Sequence, residues 1–410
     1  MEETTTAHTV QTLPKASLVM AILFLLFFLG TSDNQMISPL LPLIARDFGL
    51  EAGQVGGQML PTYALAAAFA ALFVGPLSDK FGRRKFLLFA AVLFGLSLLA
   101  TIIIKSPVTL ALVRLLTGLA AGTISTCSIA YVGDFFPYER RGVAMSVVQA
   151  GYFGALVIGV PLATVIAQSQ GWRFSFAVFG IVAFLAFISV LVYLPEDKHF
   201  ITRHVVEESR RFANIKLAFH TRERIASILA AFCVSCGFVG FLAFLGSWLA
   251  KRFTLQPRQV GLVFIAVGII SLIGAFVAGP FADKFGKRSV SLLSTLLLAS
   301  MLFVIPQFDL GVLLFVTFSI AALAFAFRQG PLQALATELV PAQARGALVA
   351  MRNTASQIGI AVSTSASGLL YDRYGYHAVG IFCGVVTLAA AVFILMMGEP
   401  HQKSNESGNP

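Results

Sequence analysis

Charged residues are scarce in this chain, since Asp, Glu, Lys and Arg together make up only 12% of its 410 residues. Hydrophobic residues make up 57%, and the mean hydropathy is +0.85. So much apolar surface cannot be hidden in one water-soluble core, which excludes the soluble globular classes. The sequence also lacks a GxxxxGK[ST] phosphate loop and an HExxH metal motif, so neither an ATP-driven engine nor a zinc hydrolase has support.

Long hydrophobic runs are present instead. A helix needs roughly 20 mostly apolar residues to cross a bilayer, and the sequence contains twelve such runs separated by short polar turns. The pattern predicts an all-α integral membrane protein with twelve transmembrane helices. The predicted spans are 16–40, 55–77, 85–104, 108–135, 142–168, 173–194, 225–250, 259–281, 289–306, 310–337, 346–370 and 377–398.

Cysteine and histidine are too few, and too badly placed, for a metal or redox centre. All four cysteines fall inside predicted spans, which argues against a disulfide framework. Cys233 and Cys236 form a CxxC with no His or carboxylate nearby in the span, a spacing that favours helix packing. None of the six histidines lies well inside a span. We therefore expect no cofactor, no metal site and no enzymatic activity.

The basic residues are sorted by loop. The net charge is +10. The N-terminus, the central loop, the tail and the turns between spans 2 and 3, 4 and 5, 8 and 9, and 10 and 11 carry 19 Lys and Arg, whereas the loops on the other side carry 7. By the positive-inside rule, both termini are predicted in the cytoplasm and the chain in the inner (plasma) membrane. This sorting accounts for the positive charge without a nucleic-acid partner. The N-terminal residues MEETTTAHTVQTLPK do not resemble a cleavable signal peptide, so span one is predicted to be retained.

The chain contains an internal repeat. GPLSDKFGRRK at Gly75 to Lys85 recurs as GPFADKFGKRS at Gly279 to Ser289, 204 residues later, and the same shift places Asp134 on Glu338. Two six-helix halves of parallel topology follow, joined by a charged linker with room for one interfacial helix. The predicted units are an N-terminal tail (1–15), an N-terminal bundle (16–194), a linker (195–224), a C-terminal bundle (225–398) and a C-terminal tail (399–410).

These features resemble the major facilitator superfamily of transporters, across essentially the whole chain. GPLSDKFGRRK looks like the family's loop between helices 2 and 3, G-x-x-x-D-[RK]-x-G-R-[RK]. RLLTGLAAG (114–122) resembles the helix-4 pattern, and GALVIGVPLATVIAQSQGWRFSF (154–176) resembles helix 5 of drug:proton antiporters and of sugar or purine efflux permeases, although Val160 separates the usual Gly-Pro pair. The resemblance implies two pseudo-symmetric six-helix bundles, the major facilitator fold, with a substrate site between them near the midplane.

Asp33 is the only acidic residue deep within a predicted span. It lies about 25 Å along helix 1, and Arg114 lies roughly 9 Å into helix 4 from the other side, at a similar depth. Because an isolated charge there costs about 2.5 kcal/mol or more, we predict an ion pair between them. The predicted role is proton coupling, with Asp33 as carrier and Arg114 modulating it. Two alternatives remain open, namely that Asp33 binds an amine or hydroxyl of the substrate, or that it is solvated and inert.

Other polar residues within spans are candidate substrate contacts. Arg328, in AFRQGPLQ, is predicted to mark a break in helix 10 that lines the cavity, with an inner-gate or snorkelling role as the alternatives. Arg352 begins a polar stripe on helix 11. The predicted cavity residues are Asn34, Gln35, Gln149, Arg328, Gln329, Gln333, Arg352, Asn353 and Gln357.

Acidic and basic residues also recur at matched span ends. Positive-inside topology requires no acids there, so the matched acids favour ion-pair gates over topology alone. We predict cytoplasmic gates that close when the protein faces outward. The gate residues are Asp79, Arg83, Asp134, Arg141, Asp283, Lys287, Glu338 and Arg345.

The resemblance implies a secondary transporter. We expect proton-coupled efflux of small amphipathic or drug-like molecules by alternating access, with the protein acting as a monomer on protons and a small-molecule substrate in the lipid bilayer. A facilitator or proton symporter for a polar metabolite such as a sugar or nucleoside, and a non-transporting receptor, remain alternatives.

Overall fold

The computed structural model describes residues 13–196, 220–340 and 345–398. Regular structure within these residues is helical, and no β-strand occurs among them. Eleven helical stretches of the described chain are long and apolar enough to cross a membrane. The predicted interfacial helix of the linker, most of the N-terminal tail and the C-terminal tail lie outside the described residues.

The last helical stretch, Arg345–Met396, holds two of the twelve predicted spans. Gly375 interrupts it with φ of 76° and ψ of −178°, a conformation that ends a helix and that glycine adopts readily. Gly171, 204 residues earlier, also has positive φ (93°) in the equivalent turn of the first half. The stretch therefore comprises two helices, and the twelve-helix prediction is confirmed.

We label the helices α1 to α12. Most run unbroken, but α1 is interrupted at Met36 and α5 contains a π-helical segment, Ala155–Gly159. They are α1 (Leu13–Gln35 and Ile37–Phe48), α2 (Ala52–Phe81), α3 (Arg83–Ala100), α4 (Pro107–Phe135), α5 (Tyr138–Gln149, Gly151–Gly154, Ala155–Gly159 and Val160–Gln170), α6 (Trp172–Tyr193), α7 (Arg222–Phe253), α8 (Pro257–Phe285), α9 (Lys287–Val304), α10 (Val312–Glu338), α11 (345–374) and α12 (376–396).

Three helices, α10, α5 and α7, differ from their predictions. The predicted break in helix 10 is wrong, because α10 passes through Arg328 and Pro331 without interruption. A proline removes a single N–H donor from the helix. In membrane proteins the backbone carbonyl group left without that donor is satisfied by neighbouring helices or side chains, so the helix can continue. The break lies in α5 instead, where the π-helical segment precedes Pro161, a residue that has no N–H to donate. In addition, α7 begins at Arg222, inside the predicted linker.

Individual contacts reproduce the internal repeat. Arg84 donates a hydrogen bond to the carbonyl of Leu191 at 2.6 Å, and Arg288 donates to the carbonyl of Leu395. Both pairs span 107 residues, and the second follows the first by 204 residues. The two six-helix bundles therefore share packing as well as sequence, as expected from copies of one unit.

The hydrogen bonds between the two bundles lie towards one end of the molecule. We call the end that carries GPLSDKFGRRK the motif face and the other end the opposite face. Ser38 of α1 donates a hydrogen bond to the carbonyl of Leu242 of α7 at 2.5 Å and accepts one from the N–H of Gly246 at 3.1 Å. Gln168 of α5 donates to Gln256, beside α8, at 2.8 Å. All of these inter-bundle bonds lie at or towards the opposite face.

Glycines let the helix backbones of the two bundles touch there. A Cβ added at Gly246 would lie 2.3 Å from the carbonyl oxygen of Ser38, and one at Gly53 would lie 2.1 Å from the carbonyl oxygen of Gly368. Both distances are far below a normal contact. We call these four residues the opposite-face seal. Towards the motif face the bundles diverge, and Gln333, which lines the space between them, is exposed.

Candidate functional site

A central cavity between the bundles has two adjoining lobes. The first lobe has a volume of about 200 Å³ and is mainly apolar, with Asn34 and Tyr63 among its polar lining residues. The second lobe has a volume of about 260 Å³ and is lined in part by Arg328 and Arg352. Tyr152 lines both, so the lobes adjoin each other at this side chain. The cavity is therefore apolar on one side and basic on the other.

The structure brings the predicted partners Asp33 and Arg114 together next to the first lobe. Nη1 of Arg114 lies 2.7 Å from Oδ1 and 2.8 Å from Oδ2 of Asp33. The two side chains are 0% and 1% exposed. On the other side of α1, Gly159 of the π-helical segment packs so closely on Ser32 that an added Cβ would lie 2.2 Å from the Ser32 hydroxyl oxygen. At this level α1 thus lies between α4, which its Asp33 contacts, and α5, which its Ser32 contacts.

Tyr63 of α2 completes the surroundings of this ion pair, and no motif or charge pattern in the sequence pointed to it. The Cζ atom of Arg114 lies 4.5 Å from the centroid of the Tyr63 ring, within cation–π range. The Tyr63 hydroxyl donates a hydrogen bond to the carbonyl of Gly30 at 3.3 Å. Nε and Nη2 of Arg114 have no hydrogen-bond partner among the described residues. The guanidinium therefore has spare donors on the side away from Asp33.

Arg328 and Arg352 form the basic part of the second lobe. Arg328 is 0% exposed, and none of its three guanidinium nitrogens has a hydrogen-bond partner in the described chain. Arg352 is 5% exposed, and its Nη1 donates to the carbonyl of Ser227 at 3.0 Å and also to the Ser227 hydroxyl. The lining residues of this lobe include no Asp or Glu. Both cations are therefore buried without a carboxylate counter-charge in the lobe.

Aromatic rings lie beside these arginines. Phe238 of α7 stacks on Phe325 of α10 with 3.9 Å between ring centroids, and Tyr152 of α5 lies 5.9 Å from the same Phe325 ring. The Cζ atom of Arg328 is 5.6 Å from the Phe325 centroid. Side chains from both bundles thus form an aromatic wall of the second lobe, beside Arg328.

Most predicted cavity residues do line it. Gln149 is the exception, since it is exposed and lies outside both lobes. Val148 is buried and Tyr152, four residues on, faces the cavity, so Gln149 is turned about 100° away from that face of α5. Asn34, Gln35 and Gln357 line the first lobe, and Arg328, Gln329, Gln333, Arg352 and Asn353 line the second.

The predicted gate residues form clusters within single bundles. In the first bundle, Arg83 lies 2.9 Å from Asp79 and also binds Asp134. In the second bundle, Lys287 binds Glu338, which reproduces the Arg83 pair with Asp134 at a shift of 204 residues. In this conformation each of these ion pairs stays within its own half.

The remaining gate residues are less engaged. Arg141 donates a hydrogen bond to the carbonyl of Phe136 at 3.4 Å, and Asp283 is exposed. The side chain of Arg345 lies outside the described residues.

The two clusters should differ in strength. Arg83→Gln is expected to destabilise the folded protein by about 1.5–3 kcal/mol, because it removes a cation shared by two carboxylates. Those carboxylates are 18% and 19% exposed, whereas Lys287 and Glu338 are 32% and 33% exposed. Lys287→Gln should therefore cost only about 0–1 kcal/mol. Thermal unfolding of both variants in one detergent tests the order, and equal losses would contradict it.

Asp372 is a further polar contact at the opposite face that the sequence did not single out. Its carboxylate accepts a hydrogen bond from the backbone N–H of Gly53 at 2.8 Å, at the N-terminus of α2. A carboxylate is favourable at a helix N-terminus, where the peptide dipoles leave partial positive charge. In the sequence, an acid at a span end is indistinguishable from an ordinary loop residue.

Comparisons with known proteins agree with this architecture. The chain is 26% identical to the uncharacterized MFS-type transporter YwfA of Bacillus subtilis (strain 168), over 93% of each protein. It is 25% identical to Multidrug resistance protein 2 of the same organism, over 88% of this chain and 90% of the relative. The crystal structure of D-xylose-proton symporter matches with a TM-score of 0.80 at 20% identity, over 94% of this chain and 98% of that one, which shows a shared fold.

The family model described as Major Facilitator Superfamily matches residues 23–253 and 227–410. Together these matches cover almost all of the described helices. The chain therefore belongs to the Major Facilitator Superfamily, and it is a multi-pass membrane transporter and not an enzyme.

Proposed function

We propose that the protein is a proton-coupled secondary transporter that moves small amphipathic molecules by alternating access, with Asp33 and Arg114 as the coupling site. The observation that carries the proposal is the fully buried ion pair between them, with 2.7 Å between Arg114 Nη1 and Asp33 Oδ1. Ionisable residues inside a membrane protein are expensive, and they commonly mark proton relays or substrate paths. Here the pair adjoins the cavity and is held away from the lipid.

Protonation of Asp33 would act on the cavity through two helices. A neutral carboxyl group attracts Arg114 less strongly, so the guanidinium is freer to turn its remaining donors elsewhere. Asn34 of α1 and Gly122 of α4 both line the first lobe, so movement of either helix changes the shape of that lobe. A proton bound on Asp33 would in this way favour one conformation over the other, as a coupled transporter requires.

Alternating access would reverse the present arrangement. The opposite-face seal has to open while the motif faces of the bundles approach each other. In that state we propose that the charged clusters around Arg83 and Lys287 meet across the two halves and act as gates, as the sequence suggested. In the present conformation Arg83 and Lys287 form their ion pairs within their own bundles.

Efflux is the proposed direction, supported by the resemblance of α5 to drug:proton antiporters and by the name of the relative Multidrug resistance protein 2. Proton symport is the second candidate. It is favoured by the polar second lobe, and a proton symporter shares the fold. Vesicles with pH gradients of either sign distinguish the two, because an antiporter and a symporter accumulate cargo under opposite gradients.

Replacing Asp33 with Asn tests the coupling. Purified wild type and Asp33→Asn in proteoliposomes are compared for accumulation of a panel of cationic dyes, sugars, nucleosides, lysolipids and organic acids under an imposed pH gradient. We expect the variant to lose gradient-driven accumulation while counterflow exchange of the same compound survives, since exchange needs no net proton transfer. Asp309→Asn, which alters a carboxylate that is 88% exposed, is the control and should behave as wild type. Accumulation by wild type that ignores the pH gradient, or a fully coupled Asp33→Asn, would refute the proposal.

A further inference from the structure

We infer that the cargo is a small amphipathic organic anion whose carboxylate or sulfonate binds Arg328 and Arg352 in the second lobe. The inference names a substrate class for the transporter proposed above, and so it rests on that proposed function. It is carried by the charge, burial and missing partners of these two side chains.

Arg328 provides the stronger support for an anion site. Its guanidinium is 0% exposed, lines the second lobe and has three nitrogens without a hydrogen-bond partner in the described residues. A buried cation without a counter-charge is costly in a protein interior. The planar fork of an arginine matches an anionic oxygen pair, which can accept two parallel hydrogen bonds from it. A bound carboxylate or sulfonate would supply the counter-charge and the hydrogen-bond acceptors that the described residues do not offer to Arg328.

Arg352 adds a second cation that is already oriented. Ser227 of α7 holds its Nη1, and its Nε has no hydrogen-bond partner within the described chain. The guanidinium is therefore fixed at one end and unsatisfied at the other, facing the lobe that it lines with Arg328. Gln333 and Asn353 supply neutral amide donors to the same space. A lobe with two cations, several amides and no acid among its lining residues has the composition expected of an anion site.

The rest of the cavity fits the apolar part of such a molecule. The aromatic wall of Phe238, Phe325 and Tyr152 stands next to the arginines, and the adjoining first lobe is mainly apolar. Planar or aliphatic groups pack favourably against aromatic faces in a water-poor site. A molecule with an anionic head and an apolar body thus satisfies both lobes at once.

Two other cargo classes fit less well. A cationic compound would be repelled by two buried guanidinium groups in a medium of low dielectric constant. A sugar could use the amides, but it would leave both cations without a counter-charge. The basic lobe therefore favours anions over cationic and neutral molecules of similar shape.

A set of isosteric compounds tests the inference directly. Benzoate, benzamide and benzamidine have nearly the same shape but are anionic, neutral and cationic, and hexanoate with hexanamide extends the comparison to aliphatic bodies. Binding is measured as thermal stabilisation of the purified protein in detergent, at constant ionic strength and without a pH gradient. We expect benzoate or hexanoate to stabilise wild type at concentrations at least tenfold lower than its neutral isostere, and benzamidine not to stabilise it.

Variants locate the site. Arg328→Gln should raise the half-effective concentration of the anion at least tenfold, and Arg328→Lys should retain part of the affinity because it keeps the charge but loses the fork. Arg258→Gln removes an exposed cation at the start of α8 and is the matched control, which should bind as wild type. If Arg328→Gln does not yield folded protein, Arg352→Gln takes its place. No stabilisation by either anion, stronger binding of the neutral or cationic isostere, or unchanged anion binding in both glutamine variants would overturn the inference.

The experiments can refute the anion site and the proton coupling independently of each other. Anion binding that depends on Arg328, together with transport that ignores the pH gradient, would keep the anion site and refute proton coupling. Proton-driven transport of neutral or cationic compounds that is lost in Asp33→Asn would keep the coupling and refute the anion site.

Discussion

Replacing Arg114 with Gln is expected to destabilise the folded protein by about 3–5 kcal/mol, the typical cost of removing one partner from a buried ion pair. Both carboxylate oxygens of Asp33 receive hydrogen bonds from the single nitrogen Nη1 of Arg114, and Asp33 is 0% exposed. The cation–π contact with Tyr63 is lost as well. The expected loss is several times the average of about 0.6 kcal/mol for an interhelical hydrogen bond in a membrane protein.

A double variant separates stability from function at this site. Asp33→Asn together with Arg114→Gln removes both charges, so the folded protein should recover most of the stability that the single Arg114→Gln variant loses. It should nevertheless fail to accumulate cargo under a pH gradient. Thermal unfolding of the four proteins in the cycle gives the coupling energy, with Arg258→Gln as the control for a lost surface cation. A single Arg114→Gln variant as stable as wild type would show that the pair does not hold α1 and α4 together.

A methyl group at Gly246 is expected to open the opposite face. In the present conformation the new Cβ would lie 2.3 Å from the carbonyl oxygen of Ser38 and 2.6 Å from Cα of Pro39, both backbone atoms of the other bundle. Overpacking of this kind costs about 1–3 kcal/mol, and the cost falls only on the conformation in which the bundles touch. Gly246→Ala should therefore shift the equilibrium towards the conformation with the opposite face open, by roughly 5–150-fold.

Labelling from the two sides of a sealed vesicle measures this shift. With the four native cysteines replaced, Asn34→Cys places a thiol in the first lobe. A membrane-impermeant maleimide should reach it mainly from the motif face in the parent protein, and increasingly from the opposite face in Gly246→Ala. Gly133→Ala, where an added Cβ meets nothing within 4 Å, is the matched control and should leave the labelling pattern unchanged. Labelling that stays confined to the motif face in Gly246→Ala would contradict the assignment of the seal.

The fold was predictable because a membrane leaves the backbone few choices. Each spanning segment has to satisfy its own hydrogen bonds, so twelve apolar runs of sufficient length give twelve helices. The duplication followed from the GPLSDKFGRRK repeat at a shift of 204 residues. The pairing of Asp33 with Arg114 followed from depth alone, since 1.5 Å per residue puts the two charges at one level.

The cavity walls were not predictable in the same way. Phe238 and Phe325 are two of 38 phenylalanines, and nothing in the sequence separates those that stack in the cavity from those that face lipid. Tyr152 and Gln149 illustrate the limit on one helix, since α5 turns the tyrosine inwards and the more polar glutamine outwards. Rotation about a helix axis depends on packing against neighbours, which a uniformly apolar sequence does not record.

The repeat has a consequence for how the two halves specialise. In the described part of the chain the buried charged residues are Asp33, Arg114, Arg328 and Arg352. At a shift of 204 residues the counterparts of Arg114, Arg328 and Arg352 are the buried and uncharged Phe318, Ile124 and Val148. Asp33 lies where the halves match at 205 residues, as Leu50 does with Leu255, and its counterpart there is the uncharged Phe238. Under the two proposals, one copy of the duplicated unit kept a place for the proton and the other kept a place for the cargo. A chain fused from two first halves, or from two second halves, would preserve the scaffold and lose one of those two tasks.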